Sequence, residues 1–489
     1  MKAEQRIWML LIFLSAATFT LAQAQDSSTS SAGDAAQQNS AAPSPAFGQE
    51  PVAPPVAEAP PLTGLDEAAL EPNLAARSFL APSFRVSQFG STNANNSLGG
   101  NRSWTGVTHL QGSVDLQRLW SRYQTSLDYA AGVSIFNNSG TSPTQVHRLY
   151  FDQRMLWRRG VLQIRDSASY LPEGSFGFGA VAGGSLGGGG LGGLGGGGFG
   201  GGGGAGGGGG FTGFGGATFG GVGNVPRLNN TTIIDISETL TPRSSITLAG
   251  GYGILHFTHA APGFIDSRQV SGQFGYNYSL SRRSTVAVMY GYRNFVFPSE
   301  GSGRFENHVV HVLYGYQLSG RMSLLLGGGP QFLHFSSPVN GSTRSISGSG
   351  RATIRYRFTR ASVSLDYDHF TSGGSGFFAG AKTDLVRLNG SRQMGRLWTL
   401  DGDIGYTVNR RLQTSQQGAN ATSYSLGYGG VRLNRILRRT LTGYAFYRFN
   451  EQWFSNSVCI GGSTNCGRVS NRTLVGVGLD WHPQAIRLD

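Results

Sequence analysis

The chain has 489 residues and a mass of 51.8 kDa, with 77 glycines, 11% aromatic and only 13% charged residues. So little charge beside so much glycine argues against a cytosolic enzyme of ordinary composition, and 39% hydrophobic residues argue against plain disorder. A helical membrane protein is excluded, because each spanning helix needs roughly 20 apolar residues in a row and the one long apolar run lies at the N-terminus; a soluble all-β protein and an outer-membrane barrel remain.

Residues 1–24 read as a secretory signal. Lys2 and Arg6 open it, Ile7 to Leu21 form its apolar core, and Ala22-Gln23-Ala24 offers a small-x-small cleavage site. The mature chain is expected to start at Gln25 in an oxidising compartment. Residues 25–77 follow, rich in Ala, Pro, Ser and Gln, with Pro43, Pro45, Pro51, Pro54, Pro55, Pro60 and Pro61 in quick succession. Such a segment buries too little apolar area to offset its ordering entropy and is expected to be a disordered periplasmic linker. From residue 78 onward lie 36 of the 39 bases and only 18 of the 26 acids, and all but Lys382 of those bases are arginines.

Beyond residue 78 the apolar pattern has period two. Val270, Phe274, Tyr276, Tyr278 and Leu280 alternate with Ser271, Gln273, Gly275 and Asn277. Val286, Val288, Tyr290 and Tyr292 alternate with Ala287, Met289, Gly291 and Arg293, and Val310, Val312, Tyr314 and Tyr316 with His311, Leu313, Gly315 and Gln317. Successive side chains of a strand point to opposite faces, so each segment has one apolar face and one polar or Gly-rich face. Eighteen strands are expected, at 79–89, 104–117, 122–136, 145–156, 161–171, 229–240, 245–257, 268–280, 285–297, 305–318, 323–336, 344–358, 361–370, 382–394, 397–409, 422–434, 440–450 and 470–482. Pro82 interrupts the first, and the count becomes sixteen if 79–117 stays out of the wall.

The connections alternate in length. Short basic ones occur at Thr241-Pro242-Arg243-Ser244, Ser281-Arg282-Arg283-Ser284, Ser319-Gly320-Arg321-Met322, Thr359-Arg360, Gly395-Arg396 and Ile436-Leu437-Arg438-Arg439, with earlier ones at Arg118 to Arg122 and Trp157 to Gly160. Between them lie longer stretches at 137–144, 172–228, 258–266, 298–304, 337–343, 371–381, 410–421 and 451–469. A transmembrane barrel has this rhythm, with short periplasmic turns and long external loops. A β-sandwich also alternates apolar and polar residues, but it has no reason to alternate its loop lengths over the whole chain.

The last strand, Leu474-Val475-Gly476-Val477-Gly478-Leu479-Asp480-Trp481, resembles the terminal assembly signal of bacterial outer-membrane proteins, although His482 to Asp489 run past its aromatic end. In architecture, residues 78–489 resemble a Gram-negative porin-type barrel, and no motif narrows that to a sugar porin, a phosphate porin or an export barrel. The expected fold is all-β, a transmembrane antiparallel up-and-down β-barrel over 78–482 with a tail at 483–489. The resemblance implies the cell outer membrane with both termini periplasmic, lipid and the barrel assembly machinery as partners, small hydrophilic solutes as cargo, and homo-oligomers as in many porins. Nucleic acid is not an expected partner.

Charged residues on one face of this wall are the candidate site. A two-residue turn at Thr359-Arg360 pairs Arg351 with Asp368, Thr353 with Asp366 and Arg355 with Ser364, so that Arg351, Arg355, Arg357, Asp366 and Asp368 share one face opposite Ile354, Tyr356, Val363, Leu365 and Tyr367. Arg facing lipid at the bilayer midplane costs about 2–4 kcal/mol, so the charged face is expected in the lumen. Asp401 and Asp403 oppose Leu400, Ile404 and Tyr406 in the same way. Opposed charges of this kind set a transverse field that selects solutes; the plainer reading is a wet wall braced by salt bridges. The excess of arginine makes anions a candidate solute, although many arginines fall in the turns, where they can meet anionic headgroups.

Three further features complete the reading. The tract Gly183 to Gly223 has no Gly-Lys-Ser/Thr and is no phosphate loop; it is expected to be an external insertion dispensable for folding. Cys459 and Cys466 lie close together in one predicted loop, and a disulfide is their natural state in an oxidising compartment. His308 and His311 point to opposite faces of a strand and cannot ligate one ion together. Neither a catalytic group, a cofactor site nor a metal site is expected. The sequence therefore predicts a porin-like channel for passive diffusion, with a non-conducting surface, adhesion or export barrel as the alternative.

Overall fold

The structure, a computed structural model, describes residues 62–63, 78–94, 97–99, 103–137, 142–171, 225–258, 264–298, 303–337, 341–373, 377–412, 421–459 and 466–488. Its strands in chain order are β1 (Phe79–Thr92), β2 (Trp104–Leu119), β3 (Tyr123–Asn137), β4 (Thr144–Trp157), β5 (Gly160–Leu171), β6 (Arg227–Thr241), β7 (Ser244–Phe257), β8 (Ser267–Ser281) and β9 (Ser284–Phe297). They continue as β10 (Gly303–Ser319), β11 (Met322–Ser337), β12 (Gly341–Arg357), β13 (Ala361–Ser372), β14 (Ala381–Gln393), β15 (Trp398–Arg411), β16 (Ser423–Arg438), β17 (Leu441–Cys459), β18 (Cys466–Trp481) and the two-residue β19 (Ile486–Arg487). Each strand from β1 to β18 pairs antiparallel with its chain neighbours, and β1 also pairs with β18. The result is a closed 18-strand up-and-down barrel. Residues 79–117 are in the wall, which decides eighteen strands over sixteen.

Closure removes every free sheet edge and leaves one seam. At that seam Phe84 faces Trp481, and past a break of three residues in β1 and four after β18, Leu80 faces Ile486 and Phe79 faces Arg487. Part of the predicted tail 483–489 thus extends the sheet. Pro82 falls within the break, where a residue without an N–H interrupts the ladder least.

The eight short turns span two to four residues each. In four of them the register slips by one residue and a single leucine bulges out: Leu240, Leu280, Leu318 and Leu437. Turn hydroxyls then hold the backbone, with the N–H groups of Arg243, Arg283 and Arg321 donating to Thr241, Ser281 and Ser319. Each turn also braces the next hairpin. The carbonyls of Arg159, Arg243, Arg283 and Arg321 accept the N–H groups of Thr239, Ser279, Gln317 and Arg357 respectively.

The two faces of the wall differ as period two requires. On β10, Val310, Val312 and Tyr314 point out and are exposed, while Asn307, His311 and Leu313 point in and are buried. The predicted loop 451–469 is mostly strand: β17 and β18 run on past the neighbouring strands to a hairpin tip where Cys459 faces Cys466, and the two are disulfide-bonded. The signal 1–24, the tract 183–223 and all of the linker 25–77 except Leu62 and Thr63 lie outside the described residues.

Candidate functional site

The inner wall of the barrel is where charge, polarity and chain crossings converge. Across β12 and β13 the register is the one the two-residue turn dictates: Arg351 faces Asp368, Thr353 faces Asp366, Arg355 faces Ser364 and Arg357 faces Ser362. Asp366 and Asp368 are 3% and 5% exposed, whereas their neighbours Leu365 and Tyr367 are 44% and 42% exposed on the outside. Adjacent residues therefore meet opposite environments, and the polar one faces the interior.

The acids do not all join the arginines of their own hairpin. Asp366 lies 3.8 Å from Arg387 of β14, and its Oδ1 is buried without a hydrogen-bond partner among the described residues. Arg351 likewise leaves Nε and Nη2 buried and unbonded there. Arg355 is half-buried, and Arg357 is exposed beside the short turn. Two strands on, Asp401 accepts bonds from Ser391 Oγ and Asn434 Nδ2, each at 2.8 Å. Asp403 leaves Oδ2 buried and without a partner among the described residues, as Thr407 Oγ1 and Asn409 Nδ2 on the same strand also are. A wall with so many buried polar atoms short of partners is suited to water or a polar solute rather than to an apolar one.

Aromatic side chains pave part of this wall by lying over glycines of the neighbouring strand. Tyr428 covers Gly405 and Tyr444 covers Gly478; in both places a Cβ would collide with the ring. The guanidinium of Arg432 sits 3.9 Å over the Tyr444 ring.

Further inward groups escape a reading of local pattern. Arg85 and Asp480 join β1 to β18 at 2.6 Å, and Arg165 pairs with Asp235 between β5 and β6. Others span chords of the ring. His311 of β10 bonds Ser349 of β12, Thr371 of β13 donates to Gln331 of β11 at 3.1 Å, and Arg293 of β9 donates to the Thr371 carbonyl at 3.4 Å. Only their parity on each strand signals that they point inward. His308 points outward and packs on Tyr290 and Tyr292. Among the described residues no group of three or more His, Cys, Asp or Glu could hold a metal ion.

Two features cross the interior. At the long-loop end Phe264, Phe377, Tyr424 and Phe454 stack together from three separate parts of the ring, with ring centroids 5.5–5.8 Å apart. Nearer the short turns, Leu62 and Thr63 lie inside the barrel. Their N–H groups donate to Asn277 Oδ1 at 2.9 and 3.2 Å, and Asn277 Nδ2 donates to Thr63 Oγ1 at 2.7 Å. Thr63 also bonds Thr247, and Leu62 packs on Met289, Val309, Leu313 and Leu325.

No known protein family and no curated protein matches this chain. Solved structures that resemble it include the ferric-catecholate import receptor Fiu of E. coli K12, at 7% identity and a TM-score of 0.39, over 82% of this chain and 81% of that one. OccK11 (OpdR) of Pseudomonas aeruginosa resembles it at 10% identity and a TM-score of 0.39, over 83% of this chain and 98% of that one. The ferric preacinetobactin receptor BauA of Acinetobacter baumannii does so at 8% identity and a TM-score of 0.38, over 83% and 80%. Likeness at this level says nothing of what this chain carries.

Proposed function

We propose that the protein is an outer-membrane channel for small hydrophilic solutes, entered and left through the barrel interior. The observation that carries this is the division of chemistry along single strands: Leu365 and Tyr367 face outward and exposed, Asp366 and Asp368 face inward and buried. An exposed belt of Leu, Val and Tyr around the whole cylinder is stable only against hydrocarbon, and an 18-strand ring is wide enough to enclose an aqueous path. The predicted signal peptide fits export to such a membrane, with both ends of the barrel sequence at the short-turn end.

The competing reading, a non-conducting barrel, draws on the aromatic cluster at the long-loop end and on Leu62 and Thr63 within. Conductance of the full chain in a planar bilayer separates the two. We expect discrete channels, larger or longer-lived in Asn277→Ala than in wild type because that variant frees the inner segment. Silence of both proteins would sink the channel.

A further inference from the structure

The rim formed by the short turns carries a charge pattern that solute passage does not use. Every one of the eight turns contains arginine and none contains Asp or Glu; Arg122, Arg159, Arg243, Arg283, Arg396 and Arg439 are examples. Among the described residues these six form no ion pair, and all are exposed. Their backbones are nonetheless fixed, since the carbonyls of Arg122, Arg159, Arg243 and Arg283 each accept a bond from the following hairpin. These six guanidinium groups are thus carried at fixed backbone positions around the rim, without an ion-pair partner among the described residues.

Apolar anchors lie directly beside them. The bulged Leu240, Leu280, Leu318 and Leu437 are 42–54% exposed at the same height. Trp120, Trp157, Trp398 and Trp481 are exposed there too, and Arg118 and Arg435 lie 5.2 and 5.0 Å over the rings of Trp120 and Trp398. The short-turn rim has one acid at its edge, Glu238, which accepts the Trp157 indole N–H at 2.7 Å, whereas the opposite rim mixes acids and bases, several of them paired: His256 with Asp266 at 2.8 Å, Arg304 with Glu306 at 3.3 Å and Arg410 with Asp384 at 3.5 Å.

We propose that the short-turn rim binds anionic phospholipid headgroups, with turn guanidinium groups taking the phosphates while the bulged leucines and the tryptophans sit at the top of the acyl chains. This rests on the membrane reading above. Guanidinium matches phosphate in a bidentate geometry that an ammonium cannot reproduce, and interfacial Trp fixes the depth at which the ring sits. An arginine close to an anionic leaflet enriches the lipid beside it by about fivefold.

Tryptophan quenching by brominated lipid tests this at the rim itself. In the full chain carrying Trp8→Phe, Trp104→Phe and Trp453→Phe, the four remaining tryptophans all lie on the short-turn rim. In mixed vesicles of phosphatidylglycerol and phosphatidylcholine at about 10 mM salt, we expect brominated phosphatidylglycerol to quench them several-fold more effectively than brominated phosphatidylcholine at equal mole fraction. The preference should fall toward unity at about 1 M salt, where the Debye length is near 3 Å, and also in the variant Arg122→Gln, Arg159→Gln, Arg396→Gln, Arg439→Gln. Heat-modifiable gel mobility reports that each variant is folded. Equal quenching by the two lipids in the folded parent, or a preference untouched by salt and by the four substitutions, overturns the proposal and leaves the membrane reading intact. A folded protein quenched by neither lipid overturns the membrane reading itself.

Discussion

Arg85 of the first barrel strand and Asp480 of the last meet at 2.6 Å across the seam, with side chains 11% and 3% exposed. The two residues lie 395 positions apart, so the pair forms only when the ring closes. Removing one partner strands a buried charge, which typically costs about 3–5 kcal/mol, whereas replacing both by apolar residues of similar size is close to neutral. We expect Asp480→Ala to lower the urea midpoint of unfolding in detergent markedly, and Arg85→Met with Asp480→Leu to restore most of it. Equal loss in the single and double variants would show that the seam depends on shape rather than on this pair.

Gly405 exists for Tyr428. The hydroxyl end of the Tyr428 ring lies against the glycine of the neighbouring strand, and a Cβ there must displace it. Overpacking of this kind costs about 1–3 kcal/mol. Gly405→Val should therefore lower the unfolding midpoint, and Gly405→Val with Tyr428→Ala should recover part of the loss. Gly390 has no comparably close neighbour, so Gly390→Ala serves as the control and should change little.

These pairs show what the sequence can and cannot encode. The register of β12 against β13 is legible because a two-residue turn fixes every pair from Phe358 and Ala361 back to Arg351 and Asp368. The faces are legible because charge and bulk alternate residue by residue. The long β17–β18 hairpin is not, because Glu451 to Cys459 lack the alternation; pairing holds Glu451 to Trp453 and then, past an irregularity, Val458 and the disulfide-bonded Cys459. Chord contacts such as Arg293 to Thr371 join strands four apart, and nothing in local periodicity reports how far an inward side chain reaches. Leu62 and Thr63 are hidden for a different reason: the composition around them describes a linker, and only the matching polar groups of Asn277 and Thr247 reveal a seat for two of its residues.

The charge ladder bears on selectivity. Asp366, Asp368 and Asp403 face the interior together with Arg351 and Arg387, so in the proposed channel each sign would act on an ion at close range. Asp366→Asn with Asp368→Asn should move the reversal potential in a salt gradient toward anion preference, by about twofold or more in the permeability ratio if the ion passes within a Debye length of the pair. Arg351→Gln should move it the opposite way. A wild-type channel that favours cations would count against the anion preference suggested by the arginine excess, and a reversal potential unmoved by either change would make the ladder a brace rather than a filter.

Thr63 and Asn277 meet inside the barrel near the short turns, where the proposed path would have to pass them. Asn277 spends its carbonyl on two backbone N–H groups and its amide on the Thr63 hydroxyl, which satisfies the segment where it lies inside the barrel. Hydrogen bonds of this type contribute about 1 kcal/mol each, and an orphaned buried donor costs at least as much. Asn277→Ala leaves the Leu62 and Thr63 N–H groups unbonded, and Leu62→Asp sets a carboxylate against Met289, Val309 and Leu325. Both substitutions act on the same two-residue contact from opposite sides, one polar and one apolar. Both should therefore raise the open fraction in single-channel records, and the double variant should exceed neither by much, since the contact can be broken only once. Full additivity would mean that the two residues act on separate features. No change in either single variant would place the resistance elsewhere, with the Phe264, Phe377, Tyr424 and Phe454 cluster at the long-loop end as the remaining constriction.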